Sequence, residues 1–367
     1  MRYDPDEMPG NRTKREQGRV LLPNTMRLMR GILPPYILSE IAKRGSNAQK
    51  GHAMKSLLLS EKFRGRREAF GQFYVSQHVG SKCVMVFDTK NTTDLPGTAV
   101  KNPKKSKDIA VKEAYAGANA TYDLYKAAFD RNSIDDKGMC IKSSVHYDEN
   151  YDNAFWDGVQ MVYGDGDGDL FNRFTIAIDV IGHELTHGVT EYEAGLEYHD
   201  QPGALNESMS DVFGSIVKQW SKKQAVDKAD WLIGEGLFTK KVKAKALRSM
   251  KAPGTSYDDP VLGRDPQPAH MKNYDRTKED NGGVHTNSGI PNHAFYVTAM
   301  EIGGKSWEKA GNIWYVALRD RIRPKSGFQS AANCTFLVAA ELFGKGSGEQ
   351  KAVKKGWTDV GVKITAK

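Results

Sequence analysis

Apolar residues recur at helical spacing along residues 179–195, DVIGHELTHGVTEYEAG, where Val180, Ile181, Leu185 and Val189 share one side of a 3.6-residue period. No proline interrupts the stretch and Gly195 suits a left-handed cap, so the pattern predicts a helix from about Asp179 to Gly195. The same period runs through 108–130, carrying Ile109, Tyr115, Ala118, Tyr122 and Tyr125 toward a core. It returns over 206–221, 289–302, 306–322, 328–343 and 347–356. Between about residues 80 and 170 the alternation shortens to every second residue in pieces such as CVMVFDTK, which predicts strands. A strand-bearing half followed by a helical half predicts an α+β chain, with a β-rich N-terminal domain and an α-helical C-terminal domain. The 179–195 helix joins them and a cleft lies between. There are no internal repeats, and the Lys-rich 101–107 and 240–245 read as solvated surface.

The polar positions of the 179–195 helix carry chemistry. His183 and His187 stand one turn apart on one face, with Cβ atoms about 5–6 Å apart, so both imidazoles can aim at one point. Glu184 lies one step round, within reach of a water at that point without being a ligand. That is the division of labour of a hydrolytic zinc site. The competing reading is a polar patch on an ordinary helix, and a third ligand decides between them. Nineteen residues separate His187 from Glu207, which opens a second amphipathic helix in GALNESMSDVFGSIVKQW. Asp211 follows on the same face. It is placed to accept the second N–H of a ligating histidine.

Together with SSVHYDENYDNAFWDGVQMVYGDGDG, LRSM at 247–250, DNGGVHTNSGIPNHAFY at 280–296, AAELFG and VKKGWTDVGV, these blocks resemble the thermolysin family of zinc metallopeptidases over about residues 80–363. The resemblance implies one catalytic Zn2+ on His183, His187 and Glu207, with Glu184 as the base. It assigns oxyanion stabilisation to His285 and Tyr198, with Asp280 orienting His285. Asn153 and the Ala154 carbonyl would hold the substrate backbone, and Arg248 the carbonyl on the primed side. Phe171, Ile233, Leu237 and Leu247 would line an apolar pocket for the residue after the scissile bond, so cleavage before bulky hydrophobic residues is expected. His199, His270 and His293 gain no such role, although His199 adjoins Tyr198 near the cleft.

Two stretches depart from calcium chemistry. YGDGDGDLF at 163–171, tested as an EF-hand from Asp165, places Leu170 where glycine is needed and Ile176 where glutamate is needed, and so fails. Where calcium-binding members of the family carry a glutamate after the third zinc ligand, this chain has Lys218, and a second ligand position reads Leu232. Asp179, Asp230 and Glu235 remain, so a lysine ammonium would sit among carboxylates in place of a divalent cation. FTKKVKAKALR at 238–248 likewise offers lysines. Structural Ca2+ is expected to be absent or reduced.

Charge is lopsided. Residues 1–67 hold 15 Lys and Arg against 6 Asp and Glu, net +9, while the rest holds 38 against 39, giving the +8 of the whole chain. A basic arm can mean nucleic-acid binding. GILPPYILSEIAKRG at 31–45 argues otherwise, because its Pro-Pro turn and helix start resemble the short propeptide of protealysin-type members of the family. The expected organisation is a propeptide over 1–67 that covers the cleft, cut within about 60–80 near the basic cluster at 64–67. A peptidase domain over 75–195 and a helical domain over 196–367 follow. The expected partners are peptide substrates and the propeptide itself, with no nucleic acid and no membrane, in a monomer. No apolar h-region opens the chain, so no Sec signal is visible and localisation is cytoplasmic or by unconventional export. Cys83, Cys140 and Cys334 read as apolar fillers fitting a reducing compartment. Two rivals to an active endopeptidase stand: a non-catalytic peptide binder on the same cleft, and an aminopeptidase.

Overall fold

The computed structural model describes residues 30–70 and 81–366. Of the segment expected to hold the maturation cut, 60–70 prolong a helix and 71–80 lie outside the described residues, as do the basic residues 1–29. The α+β expectation holds: a mixed six-stranded sheet is followed by a helical half.

The sheet takes β1 (Arg30–Gly31), β2 (Val84–Asp88), β3 (Thr98–Ala99), β4 (Ile141–Val145), β5 (Ala154–Trp156) and β6 (Met161–Tyr163), in the spatial order β1-β5-β6-β4-β2-β3. Strands β2, β4 and β6 run parallel, and β5 turns back antiparallel to β6. The strand β1 therefore closes the β5 edge. Between β1 and β2 come α1 (Pro35–Arg44) and α2 (Asn47–Phe70). Pro35 opens α1, where its missing N–H costs nothing. On α2, Leu57 and Leu59 pack inward while Leu58 stands 60% exposed, so the Leu57–Leu59 run is not buried as a block.

The helix α3 (Ile109–Phe129) crosses between β2 and β4 and matches the 108–130 pattern. Asp108 caps it, accepting from the backbone N–H of Ala110 at 2.8 Å and Val111 at 3.3 Å. Ile109 corrects the expected core face: it is 51% exposed, and Ala110 and Val111 take the inner positions of that first turn. Behind α3 lie α4 (Ile178–Tyr192) and α5 (Asp200–Lys222). A short ribbon of β7 (Leu232–Ile233) and β8 (Arg248–Ser249) follows, and then α6 (Asp280–Asn287), α7 (Gly289–Ile302), α8 (Ala310–Asp320), α9 (Phe328–Phe343) and α10 (Gly348–Asp359). The patterns at 289–302 and 328–343 match α7 and α9 end to end.

The cysteine reading is overturned in part. Cys83 and Cys140 form a disulfide, because the parallel register pairing Val84 with Ile141 sets the two preceding residues side by side. Cys334 is free and half-buried.

His146 follows β4 and ties three pieces together. Its Nδ1 lies 2.8 Å from Asp165 Oδ2 and its Nε2 2.8 Å from Asp108 Oδ2, which joins the sheet end, the cap of α3 and the 163–171 loop. The Asp165 hydrogen bond above all, working against partial burial, lifts the imidazole to about 9. A folded value above the unfolded one means that stabilisation is complete below about pH 6.5 and fades as pH rises through the folded value. His146→Gln should therefore lower Tm most near pH 6, with the gap to the parent protein narrowing toward pH 10. A gap that stays constant would contradict the ion-pair account.

Candidate metal centre and active site

The site depends on how closely α4 and α5 approach. A Cβ on Gly214 would lie 2.4 Å from the Asp179 carbonyl oxygen and 3.0 Å from His183 N, and one on Gly182 would meet the Val217 side chain at 3.0 Å. Glycine at both positions lets the two backbones touch, which sets the inner faces of α4 and α5 against each other. Glu207 was expected to open its helix. Instead α5 starts at Asp200, about two turns earlier. Pro202 in the first turn is the start signal that the pattern reading passed over.

His183, His187 and Glu207 come together and are fully buried. His183 Nε2 stands 3.5 Å from Glu207 Oε2, and His187 Nε2 stands 3.3 Å from Glu207 Oε1. Donors held at about 2.0–2.1 Å around a tetrahedral zinc ion would stand about 3.4 Å apart, so the three side chains fit that ion. His183 Nε2 and Glu207 Oε2 also lack a hydrogen-bond partner among the described residues, although both are buried. Buried polar atoms left so are what a ligand would satisfy.

Carboxylates and amides orient the rings. His183 Nδ1 lies 2.8 Å from Asp211 Oδ1, and His187 Nδ1 lies 2.9 Å from both Asn206 Oδ1 and Ser210 Oγ. Each Nδ1 is thereby engaged and each Nε2 faces the common point. Asn206 and Ser210 were not singled out from the sequence, although both stand in the same NESMSD block as Glu207 and Asp211. Asp211 also accepts from Arg248 Nε and Nη2 at 2.8 Å each and from Asn292 Nδ2 at 2.8 Å. Burial would raise this carboxyl, but Arg248 and His183 hold it down at about 2. Burial acts the same way on Glu207, and His285, His187 and His183 outweigh it to hold that carboxyl well below its ordinary range.

Glu184 differs. Its Oε2 accepts from Trp156 N at 3.0 Å, which ties it to β5, and burial lifts its carboxyl to about 8. Two buried glutamates in one site thus carry opposite preferences for a proton. Tyr198 donates its hydroxyl to Glu207, and its Oη lies 3.3 Å from His285 Nε2. His285 Nδ1 lies 2.9 Å from Asp280 Oδ1. Asp280, Asn281, Gly282 and Gly283 all take positive φ, which curls the chain so that Asp280 Oδ2 also accepts from His285 N at 3.0 Å. At Gly282 a Cβ would lie 2.2 Å from Asp200 Oδ1, so the curl needs glycine. Burial lowers His285, but Asp280 and Glu207 prevail and hold it at about 9.

Ile233, Leu237 and Leu247 gather round Gly234 and are buried, with Leu247 N donating to Ile233 O at 3.0 Å. Phe171 is buried one residue before Asn172, whose N donates to Leu237 O at 2.7 Å, and its ring packs on Phe174 and Phe238. Asn153, Ala154 and Arg248 engage the chain's own N-terminal segment. Ile32 N donates to Ala154 O at 3.1 Å, Leu33 N to Asn153 Oδ1 at 3.0 Å, and Arg248 Nη1 to Ile32 O at 3.1 Å. His199 is exposed and pairs with Asp200. His270 Nδ1 accepts from Lys272 N at the start of a short turn, and His293 lies against the Met250 carbonyl. Lys218, nearly buried, sits 3.2 Å from Asp179, 2.8 Å from Asp230 and 3.4 Å from Glu235. Those carboxylates hold its ammonium above the ordinary lysine value against burial.

Comparison with known proteins agrees in kind. Residues 60–191 match the family model of the thermolysin metallopeptidase catalytic domain, and residues 194–362 match that of its alpha-helical domain. An extracellular metalloprotease of Pectobacterium carotovorum subsp. carotovorum is 47% identical over 336 residues, covering 91% of this chain and 96% of that one. Protease PrtS of Photorhabdus sp. (strain Az29) is 46% identical over 348 residues, covering 91% and 92%. The solved structure of the precursor of protealysin, a metalloproteinase from Serratia proteamaculans, superposes with a TM-score of 0.83 at 52% identity, covering 91% of this chain and 99% of that one.

Asp211→Asn keeps the shape of the side chain and removes the charge that orients His183. Zinc affinity measured by chelator competition should fall about 10–100-fold. Unchanged affinity would make Asp211 a purely structural partner of Arg248.

Proposed function

The chain belongs to the thermolysin family of metallopeptidases and is a zinc metalloendopeptidase, and from that premise we propose how its own residues divide the work. His183, His187 and Glu207 would hold the ion. Zinc bound there would supply Lewis acidity and lower the pKa of a water. Glu184, fixed by the Trp156 amide, takes the water's proton and returns it to the leaving amine. Tyr198 Oη and His285 Nε2 converge beside Glu207 and donate to the oxyanion as charge develops. Asp280 supports the charged form of His285. Ala154 at the β5 edge, the preceding Asn153 and Arg248 hold the substrate backbone. The observation that carries this reading is the buried His183–His187–Glu207 set with Glu184 beside it and a carboxylate or amide behind each ring.

The N-terminal segment acts as the inhibitor. Its β1 adds a strand to β5, and Ile32 and Leu33 take up the contacts assigned to substrate. We read this segment as part of a propeptide over 1–67, cut within about 60–80, with peptidase domains over 75–195 and 196–367 following. The Cys83–Cys140 disulfide and the extracellular naming of a relative support work outside a reducing compartment. No helix among the described residues is long and apolar enough to cross a membrane.

Freed of its propeptide, the protein should cut amino-terminally blocked peptides before Leu, Ile or Phe, as the buried group of Ile233, Leu237 and Leu247 favours. A requirement for a free amine would favour an aminopeptidase. A preference for charged residues after the cut would overturn the pocket. Zinc uptake with no cleavage at all would favour the peptide binder.

The Lys218 cluster supports the absence of structural calcium there, since an ammonium already neutralises Asp179, Asp230 and Glu235. Millimolar calcium should leave Tm unchanged. A ligand at 100 times its Kd would add about 2.7 kcal/mol, so a rise of several degrees would contradict this.

A further inference from the structure

Four hydrogen bonds fix the register of the N-terminal segment against the site. Gly31 O lies 3.2 Å from His285 Nε2, which itself stands 3.4 Å from Glu207 Oε2. The next amide, Ile32 N, donates to Ala154 O at 3.1 Å. The next carbonyl, Ile32 O, accepts from Arg248 Nη1 at 3.1 Å, and Leu33 N donates to Asn153 Oδ1 at 3.0 Å. Ile32 is wholly buried in the same apolar cluster as Phe171, Ile233, Leu237 and Leu247. Under the roles given above, the Gly31 carbonyl stands at an oxyanion donor, Ile32 fills the position after the cut, and its carbonyl is held on the primed side. The segment runs in the direction of a substrate, with one peptide bond across the catalytic groups.

We propose that Gly31–Ile32 is an internal processing site of the precursor, hydrolysed in cis by the catalytic centre it covers; this rests on the peptidase reading above. Hydrolysis adds one water across the bond. The C–N bond breaks, the Gly31 carbonyl carbon takes the water oxygen and becomes a carboxylate, and the Ile32 nitrogen takes both water protons and becomes an ammonium group.

The segment nonetheless inhibits, because cutting it does not release it. The new Ile32 end stays held by Arg248 and Asn153 and by α1, whose Ile37, Leu38 and Ile41 are buried. Gly31 itself is fitted closely to the edge, since a Cβ there would meet Asn153 Nδ2 at 2.8 Å and Ala154 O at 3.2 Å. Cleavage here therefore precedes activity, which appears only when the remainder up to the 60–80 segment departs.

The test follows the full-length chain with zinc by intact mass and by sequencing of new N-termini, beside Glu184→Ala. The expected result is a fragment beginning at Ile32, formed with a rate constant that does not change on dilution, and absent from Glu184→Ala. In Ile32→Asp that fragment is lost, while the same protein, trimmed of its N-terminal segment, still cuts blocked peptides. A readout independent of turnover is hydrogen exchange of the Glu184→Ala chain, in which the Ile32 and Leu33 amides are protected and Asn153→Ala releases that of Leu33. Wild-type protein that matures within 60–80 and cuts blocked peptides, yet never yields an Ile32 terminus, overturns the proposal and leaves the peptidase reading standing. Free exchange of both amides overturns it as well. Failure to cut any peptide, blocked or its own, overturns both.

Discussion

The site hangs on one buried carboxylate. Asp211 receives His183 from α4, two hydrogen bonds from Arg248 on β8, and Asn292 from α7, all at 2.8 Å. A buried charge is tolerated only when its lone pairs are met, and stripping one partner from such a set costs about 3–5 kcal/mol. Asp211 is met on both oxygens, so four elements are locked around the rings that face Glu207. The close approach at Gly182 and Gly214 is the backbone half of the same constraint. Arg248 joins the two functions of the site, since Nε and Nη2 serve Asp211 while Nη1 reaches the chain lying in the cleft.

The second organising feature is the free edge of β5. An unpaired strand edge is a template for any extended chain, and here it is covered by residues 30 and 31 of the same molecule. Trp156 N, on the same strand, donates to Glu184, so the edge that pairs with β1 also positions the residue proposed as the base.

Much of this was legible where the signal is local. The period of residues 179–195 and the one-turn spacing of His183 and His187 place two rings on one face by helix geometry alone. Glu207 is a candidate third ligand on its own helix, but its assignment and that of His285 rest on resemblance, because no local rule links them to α4 across long stretches of chain. The beginning of α5 is hidden because residues 200–203 are Asp, Gln, Pro and Gly, ahead of the apolar Ala204 and Leu205. Pro202 and the Gly203 N–H bond to His199 O at 3.1 Å begin that turn without an apolar period. The Cys83–Cys140 pair was missed for a similar reason. They are 57 positions apart in the chain, and the parallel register of β2 and β4 makes them neighbours. Ile109 misled because an apolar residue in a first helical turn can face solvent when the next two fill the core.

The central claim is that two buried glutamates in one site have separate duties, Glu207 as ligand and Glu184 as base. Zinc content and hydrolysis of a blocked peptide, measured together on Glu184→Gln and Glu207→Gln after trimming, test it most directly. The account predicts that Glu184→Gln keeps about one zinc per chain while losing about 10²–10⁴-fold in rate, and that Glu207→Gln loses both metal and rate. Loss of zinc from Glu184→Gln, or full activity in it, would contradict the division.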